Sequence, residues 1–350
     1  MPVLALAVLL ATSAATASEP ALDAFAQLPA DPAPPALIRD SHYWISNEDH
    51  LGLFHEAVKD KGGLYLGVGS DQNYLLGAWA RAELLVLMDF DQSIVDLHRV
   101  YRVIFLAAET PEDFLRLWRR ENRAELRRLI AEGYPDKKER AGALRALGTA
   151  RGAVERRLNR VVEQMAKASL PCFLVDAAEY AHIRRLYQED KVFMVRGDLT
   201  ARRTVSAIGR AAARAGKKVG VLYLSNAEQY FPYEAKYRSN IRALPLDERS
   251  VVVRTSGQRG ISHVRGTYYH YNTQSGSSFL AWLADAKTRD VRGMLRYAPG
   301  GGEVYGLSRL DIGPAEAREV MKQKLLAKRQ VKRGKRTRGL FRRAGAEAVQ

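Results

Sequence analysis

Two glycines and an acid carry the first suggestion of chemistry. Gly67 and Gly69 end the apolar run 64–68, and Asp89 ends a second run, 84–88, standing 22 residues after Gly67. A Gly-x-Gly turn can adopt positive φ and lets the backbone approach a ligand closely. The helix expected over 70–82 offers free N–H groups at its start. A carboxylate at the end of the next strand can accept hydrogen bonds from both hydroxyls of a ribose. Together these form the pattern of a nucleotide- or cofactor-binding half-domain.

The turn departs from the dinucleotide version. Ser70-Asp71-Gln72-Asn73-Tyr74 follows Gly69, so the third glycine is missing. Asp71 falls near the helix start, where a diphosphate would sit. An acid there repels phosphate and is expected to cap the helix instead. Gln72 and Asn73 complete the ligand side of the turn. A neutral or cationic ligand suits it better than NAD, and S-adenosylmethionine, a sulfonium without phosphates, fits that description. The other reading is a structural turn in which Asp89 and Asp91 are loop acids.

A second constellation lies in the stretch 220–233. An apolar strand breaks into Ser225, Asn226, Glu228 and Tyr230. In a parallel sheet these reach the same rim as the glycine turn. Asn226 is suited to hold an amine or a main-chain group, Glu228 to act as a base and Tyr230 to stack. Ser225 faces the cofactor side, and Asp198 belongs to the same rim. The alternative is that Ser225 and Asn226 cap the next element while Tyr230 packs. His263 and His270 sit near a tyrosine-rich strand and read as packed or surface residues. There is no HExxH pair, no Gly-x-Ser-x-Gly elbow and no GxxxxGK[ST] loop, so no metal is predicted.

The elements that must position these residues alternate. Strands are expected at 64–68, 84–88, 191–196, 218–224, 250–255 and 266–273, with helices at 93–106, 178–188, 200–215 and 278–286. After Lys218 the run 218–224 is continuously apolar, as in a strand buried on both faces of a parallel sheet. The fold class is α/β: an open, doubly wound, mostly parallel sheet with a helical insertion. The expected divisions are a signal peptide at 1–17, a Pro-rich linker or surface arm at 18–40 and a first half-domain at 41–110. The helical insertion at 111–168, a second half-domain at 169–315 and a basic tail at 316–350 follow.

The 350 residues are 47% hydrophobic, enough for a large core, and no stretch reaches the length of a membrane span. Cys172 is the single cysteine, so no intramolecular disulfide forms. Its apolar surroundings predict a buried, inert thiol. Residues 3–10 form a short apolar run, and Ala15-Thr16-Ala17 makes a small-x-small cleavage site, although no Lys or Arg precedes them. Cleavage after Ala17 would export the chain to the periplasm or outside the cell; without it the protein is cytoplasmic. The net charge is +16, and eleven basic residues with no acid fall between Lys322 and Arg343. Such a tail adheres to an anionic polymer, a membrane surface or nucleic acid.

Tyr65-Leu-Gly-Val-Gly-Ser-Asp-Gln-Asn-Tyr74 and Tyr223-Leu-Ser-Asn-Ala-Glu-Gln-Tyr230 resemble the hallmarks of a poorly characterised bacterial family. Its members carry an N-terminal signal or lipid-anchor segment, and their arrangement is similar to the class I S-adenosylmethionine-dependent methyltransferase fold. The resemblance covers roughly 43–100 and 175–285. It implies roles for Gly67, Gly69, Gln72, Asn73, Asp89, Ser225, Asn226 and Tyr230. Two departures stand out: Phe90-Asp91-Gln92 replaces the basic residues that follow the family's acid, and Tyr65-Leu66 replaces the acid that methyltransferases place before the glycines. The resemblance implies an exported protein with a methyltransferase-like domain, acting as a non-catalytic small-molecule or envelope-binding relative. The alternative is a working methyltransferase, with its cofactor at Gly67–Gly69 and Asp89. A cytoplasmic enzyme acting on nucleic acid is the third expectation.

Overall fold

The computed structural model describes residues 19–258, 260–298 and 304–347. The signal peptide expected at 1–17 lies outside them. Among the described residues, seven strands form one sheet in the order β3-β2-β1-β4-β5-β6-β7. These are β1 Leu64–Val68, β2 Leu84–Asp89, β3 Val192–Arg196, β4 Val219–Tyr223, β5 Val251–Ser256, β6 His270–Ser275 and β7 Leu307–Arg309. The first five are parallel; β6 runs antiparallel to β5, and β7 follows the direction of β6. This is a Rossmann-like doubly wound sheet, whose order reverses between β1 and β4.

Alternation along the strands assigns the two cores. Tyr65, Leu85, Leu87, Val221 and Tyr223 face one side; Leu66, Val86, Met88 and Leu222 face the other. Because both faces are covered, the strands read as unbroken apolar runs rather than as alternating ones.

Helices α1 (Glu19–Ala26), α2 (His55–Val58), α3 (Gln72–Trp79) and α4 (Gln92–Ala107) come from the first part of the chain. Then α5 (Pro111–Trp118), α6 (Arg123–Gly133), α7 (Lys137–Ala168) and α8 (Ala177–Gln188) fill the crossover from β2 to β3. The second part supplies α9 (Thr204–Arg214), α10 (Ala235–Ala243), α11 (Gly276–Ala284), α12 (Val291–Leu295) and α13 (Pro314–Glu347).

The inserted helices are not a solvated appendage. Ala143, Leu147, Ala150, Val154, Leu158, Val161 and Met165 recur at helical spacing along α7 and join the first core. The polar residues between them form the outer face. One residue breaks the apolar stripe: Arg157 is fully buried.

The segment expected as a linker or surface arm at 18–40 runs as an arm bound to the domain. Phe25 packs in the second core. Asp31 is 1% exposed, and its carboxylate accepts from the amides of Asp198 (3.1 Å) and Arg203 (3.0 Å). Arg203 precedes α9, so an acid some 170 positions away in the chain caps that helix start. Prolines lower the entropy lost in fixing such an extended arm.

Candidate functional site

At the carboxyl ends of β1 to β4 lies a cavity of about 550 Å3. It stands at the point where the strand order reverses, the place where open α/β sheets bind ligands. Its walls come from Val68–Gly69 after β1, Met88–Asp91 after β2, Gly197–Thr200 after β3 and Ser225–Ala227 after β4. The N-terminal arm adds Pro34, Ile38 and Tyr43, and Tyr268 and Tyr269 close the far side.

The glycine turn serves two purposes. Gly69 has φ +94°, which only glycine adopts without strain, and it lines the cavity. Gly67 does not line it. A Cβ there would stand 1.9 Å from Asn73 Oδ1 and 2.6 Å from the Tyr65 ring. The expectation that Gly67 lets the backbone approach a ligand is therefore corrected: its missing side chain makes room for the protein's own. Gly67→Ala should cost about 1–3 kcal/mol by overpacking, measured by urea denaturation, because the added methyl overlaps Asn73 and the Tyr65 ring.

Asn73, expected on the ligand side, and Asp71, expected at the helix start beside it, both turn inward. Asn73 is fully buried; it accepts from Tyr65 Oη (2.9 Å) and donates to the carbonyls of Ser70 (3.1 Å) and Val68 (3.3 Å). Asp71 stands at the start of α3 but makes no capping hydrogen bond with its side chain. It accepts from the Ser46 amide (2.8 Å) and from Arg157 Nε (2.9 Å), away from the cavity. Its charge is thus neutralised, and it is not the group that repels phosphate. Among the described residues, the acids that do line the cavity are Asp89, Asp91 and Asp198, against one arginine, Arg39.

Asp89 remains at the site as expected. It is 8% exposed. Burial raises its pKa to about 7; the amide of Asp91 (2.8 Å from Oδ1) opposes the shift, and the charge of Asp91 adds to it. Asp91 caps α4 through the Ser93 amide (2.9 Å) and meets His42 Nδ1 at 2.6 Å. Asp198 Oδ1 accepts from the amide and hydroxyl of Thr200, both at 2.7 Å. Gln72 lines the cavity at 3% exposure, and its Oε1 is buried without a hydrogen-bond partner.

At the second constellation the structure divides the expected set. Ser225, Asn226 and Tyr230 line the cavity. Asn226 Nδ2 donates to Tyr269 Oη (2.9 Å), which donates on to Asn47 Oδ1 (3.0 Å). Tyr230 is 46% exposed at the rim. Glu228, expected as the base, is not among them. It is 2% exposed, accepts from Tyr233 (2.6 Å) and Tyr237 (2.7 Å), and faces Arg254 at 2.5 Å. Ser225, Asn226 and Ala227 line the cavity in succession, and the single helical turn Ala227–Tyr230 then carries Glu228 inward.

Three site residues escaped the sequence reading. Glu48 is 1% exposed behind Ser225. His98 Nε2 meets the Gly69 carbonyl at 2.8 Å, and its Nδ1 meets Tyr74 Oη at 2.8 Å. Burial lowers the His98 pKa to about 4, so it is neutral; it donates to Gly69 and holds the turn. Arg157 was open to detection as an arginine on the apolar stripe of α7. Glu48 and His98 carry no comparable signal, one lying in irregular backbone and the other in a helix with apolar neighbours. Cys172 is buried, and its thiol is pushed up to about 11, as its apolar run predicts.

A family model described as "Domain of unknown function (DUF7790)" matches residues 43–311. No curated protein matches the chain.

Proposed function

We propose that this chain, which belongs to the DUF7790 family of domains of unknown function, holds an adenosyl ligand of the S-adenosylmethionine type at the cavity. The observation that carries the reading is Asp89, an acid at the end of β2 that lines the cavity while only 8% exposed. Asp89 would take the ribose hydroxyls. Phe90, Ile94 and Leu199 supply an apolar slot for a base, with the second oxygen of Asp198 nearby for an exocyclic amine. Three acids against one arginine disfavour a diphosphate and favour a cation.

When bound, the sulfonium would supply an electrophilic methyl group. The chain's own part would be alignment of a nucleophile at the Ser225–Tyr230 rim. The inward position of Glu228 favours a second reading, a non-catalytic relative that binds the ligand only. Export also remains our proposal: cleavage after Ala17 would keep α1 and the Asp31 anchor. The basic residues of 322–343, on α13, would then meet an anionic envelope polymer.

A thermal-shift series tests the ligand class. S-adenosylmethionine and adenosine should raise Tm, and NAD should not. Stabilisation by NAD alone would reverse the assignment.

A further inference from the structure

We propose that Glu48 is the proton acceptor of the cavity and that Ser225 connects the two. This rests on the reading of the cavity as a place where a substrate nucleophile is alkylated.

Ser225 is the one residue at the end of β4 with its backbone in the left-handed region, φ +49°. A serine rarely adopts that conformation, and such strain persists where the surroundings impose it. Here the Thr255 amide fixes the Ser225 carbonyl at 2.9 Å. The result places the hydroxyl between the cavity, which Ser225 lines, and Glu48, whose Oε1 accepts from Ser225 Oγ at 3.1 Å.

Glu48 is an unusual group to bury. Its carboxylate accepts from four hydroxyls: Ser225, Tyr223, Thr255 and, at 3.4 Å, Ser46. Among the described residues it has no ion-pair partner. Arg157, the nearest candidate, donates to the Glu48 main-chain oxygen at 3.1 Å and pairs with Asp71. Buried carboxylates that only hold a fold together are normally paired with a cation. Burial raises the Glu48 pKa, with the hydroxyls of Thr255, Tyr223 and Ser225 opposing. Tyr223 cannot take the proton's place, since burial raises its own pKa well above the usual tyrosine value. Of the four hydroxyls, Ser46 and Ser225 also line the cavity, and Ser225 is the closer to Glu48.

The proton path balances. A bound nucleophile X–H gives its proton to Ser225 Oγ as the Ser225 hydroxyl proton passes to Glu48 Oε1. The bonding pair stays on X, where an alkyl-donating sulfonium can use it. The serine ends as it began, and the carboxylate becomes a neutral acid. With Glu228 held by Arg254, the described residues of the rim provide no competing glutamate.

Infrared difference titration of the full chain tests this. We expect a carboxylic-acid C=O stretch that grows on acidification with a midpoint above that of an ordinary glutamate. It should vanish in Glu48→Gln. In Ser225→Ala, which keeps three hydroxyls on Glu48, it should shift to higher frequency, with its midpoint moved upward. Ser225→Ala keeps the test open where Glu48→Gln fails to fold. A Glu48 that stays ionised throughout, or a band that Ser225→Ala leaves unmoved, would overturn the proposal and make Glu48 a structural staple. Calorimetry with S-adenosylmethionine on the same samples separates the two claims: absence of binding beside a Ser225-sensitive band removes the cofactor reading and leaves the proton couple.

Discussion

Asp89→Asn is expected to make the protein more stable at pH 8 while removing its affinity for the adenosyl ligand. The folded chain holds Asp89 at about 7, against 3.8 for an exposed aspartate, mainly through burial. A folded pKa raised above the unfolded one gives stability that is complete below the unfolded pKa. That stability is lost as pH rises through the folded pKa. Wild type should therefore weaken relative to the variant between about pH 4 and 7, and then level off. The shift sets an upper bound of about 4 kcal/mol on the gain in Asp89→Asn at pH 8. The amide keeps part of the desolvation cost, so the measured gain should be smaller. Urea denaturation at several pH values reads the difference. A carboxylate kept at such a cost, on a cavity wall, is what a ligand site requires and a structural loop does not. If Asp89→Asn is destabilising at pH 8, the acid is structural.

Glu228→Ala should produce the largest loss of stability of any single change at the rim, about 3–5 kcal/mol. The change strands Arg254, which is fully buried. Arg254 also donates to Asn272 Oδ1 and Gln274 Oε1, both at 2.8 Å, and its guanidinium lies 4.5 Å from the centre of the Phe279 ring. Those contacts anchor the charge in the sheet, so it cannot escape to water. Tyr233 and Tyr237 lose their acceptor as well. Replacing both partners, Glu228→Leu with Arg254→Met, should recover most of the loss, since a buried pair contributes little net stability. Such a double-mutant cycle, read by chemical denaturation, separates an ion pair from a base. A Glu228→Ala protein of unchanged stability would contradict the structural role.

The sheet was legible because its strands announce themselves. Runs such as 84–88 and 219–224 are apolar at every position, as a strand covered on both faces requires. Length and alternation then gave the doubly wound order. The antiparallel β6 and the short β7 were less legible. Residues 270–275 read His-Tyr-Asn-Thr-Gln-Ser, a polar strand whose burial depends on Arg254 and Ser308 across the sheet. The site was half legible. Gly69, Gln72, Asp89, Ser225, Asn226 and Tyr230 were found because they follow strand ends, where the sheet itself points them at the cavity. Gly67, Asp71, Asn73 and Glu228 share those stretches and face the other way. Sequence spacing gives the stretch, whereas direction depends on partners far along the chain: Arg157 for Asp71, Arg254 for Glu228. Glu48 was missed for the same reason, and the arm at 18–40 was expected without its Asp31 anchor, since irregular backbone has no period to read.

Calorimetric titration of the full chain with S-adenosylmethionine tests the central claim most directly. The account predicts binding at pH 8 that weakens as pH falls through about 7, because a ligand donating to Asp89 favours its ionised form. It also predicts that Asp89→Asn abolishes both the heat and its pH dependence. No binding at millimolar ligand, or binding that Asp89→Asn leaves unchanged, would contradict it.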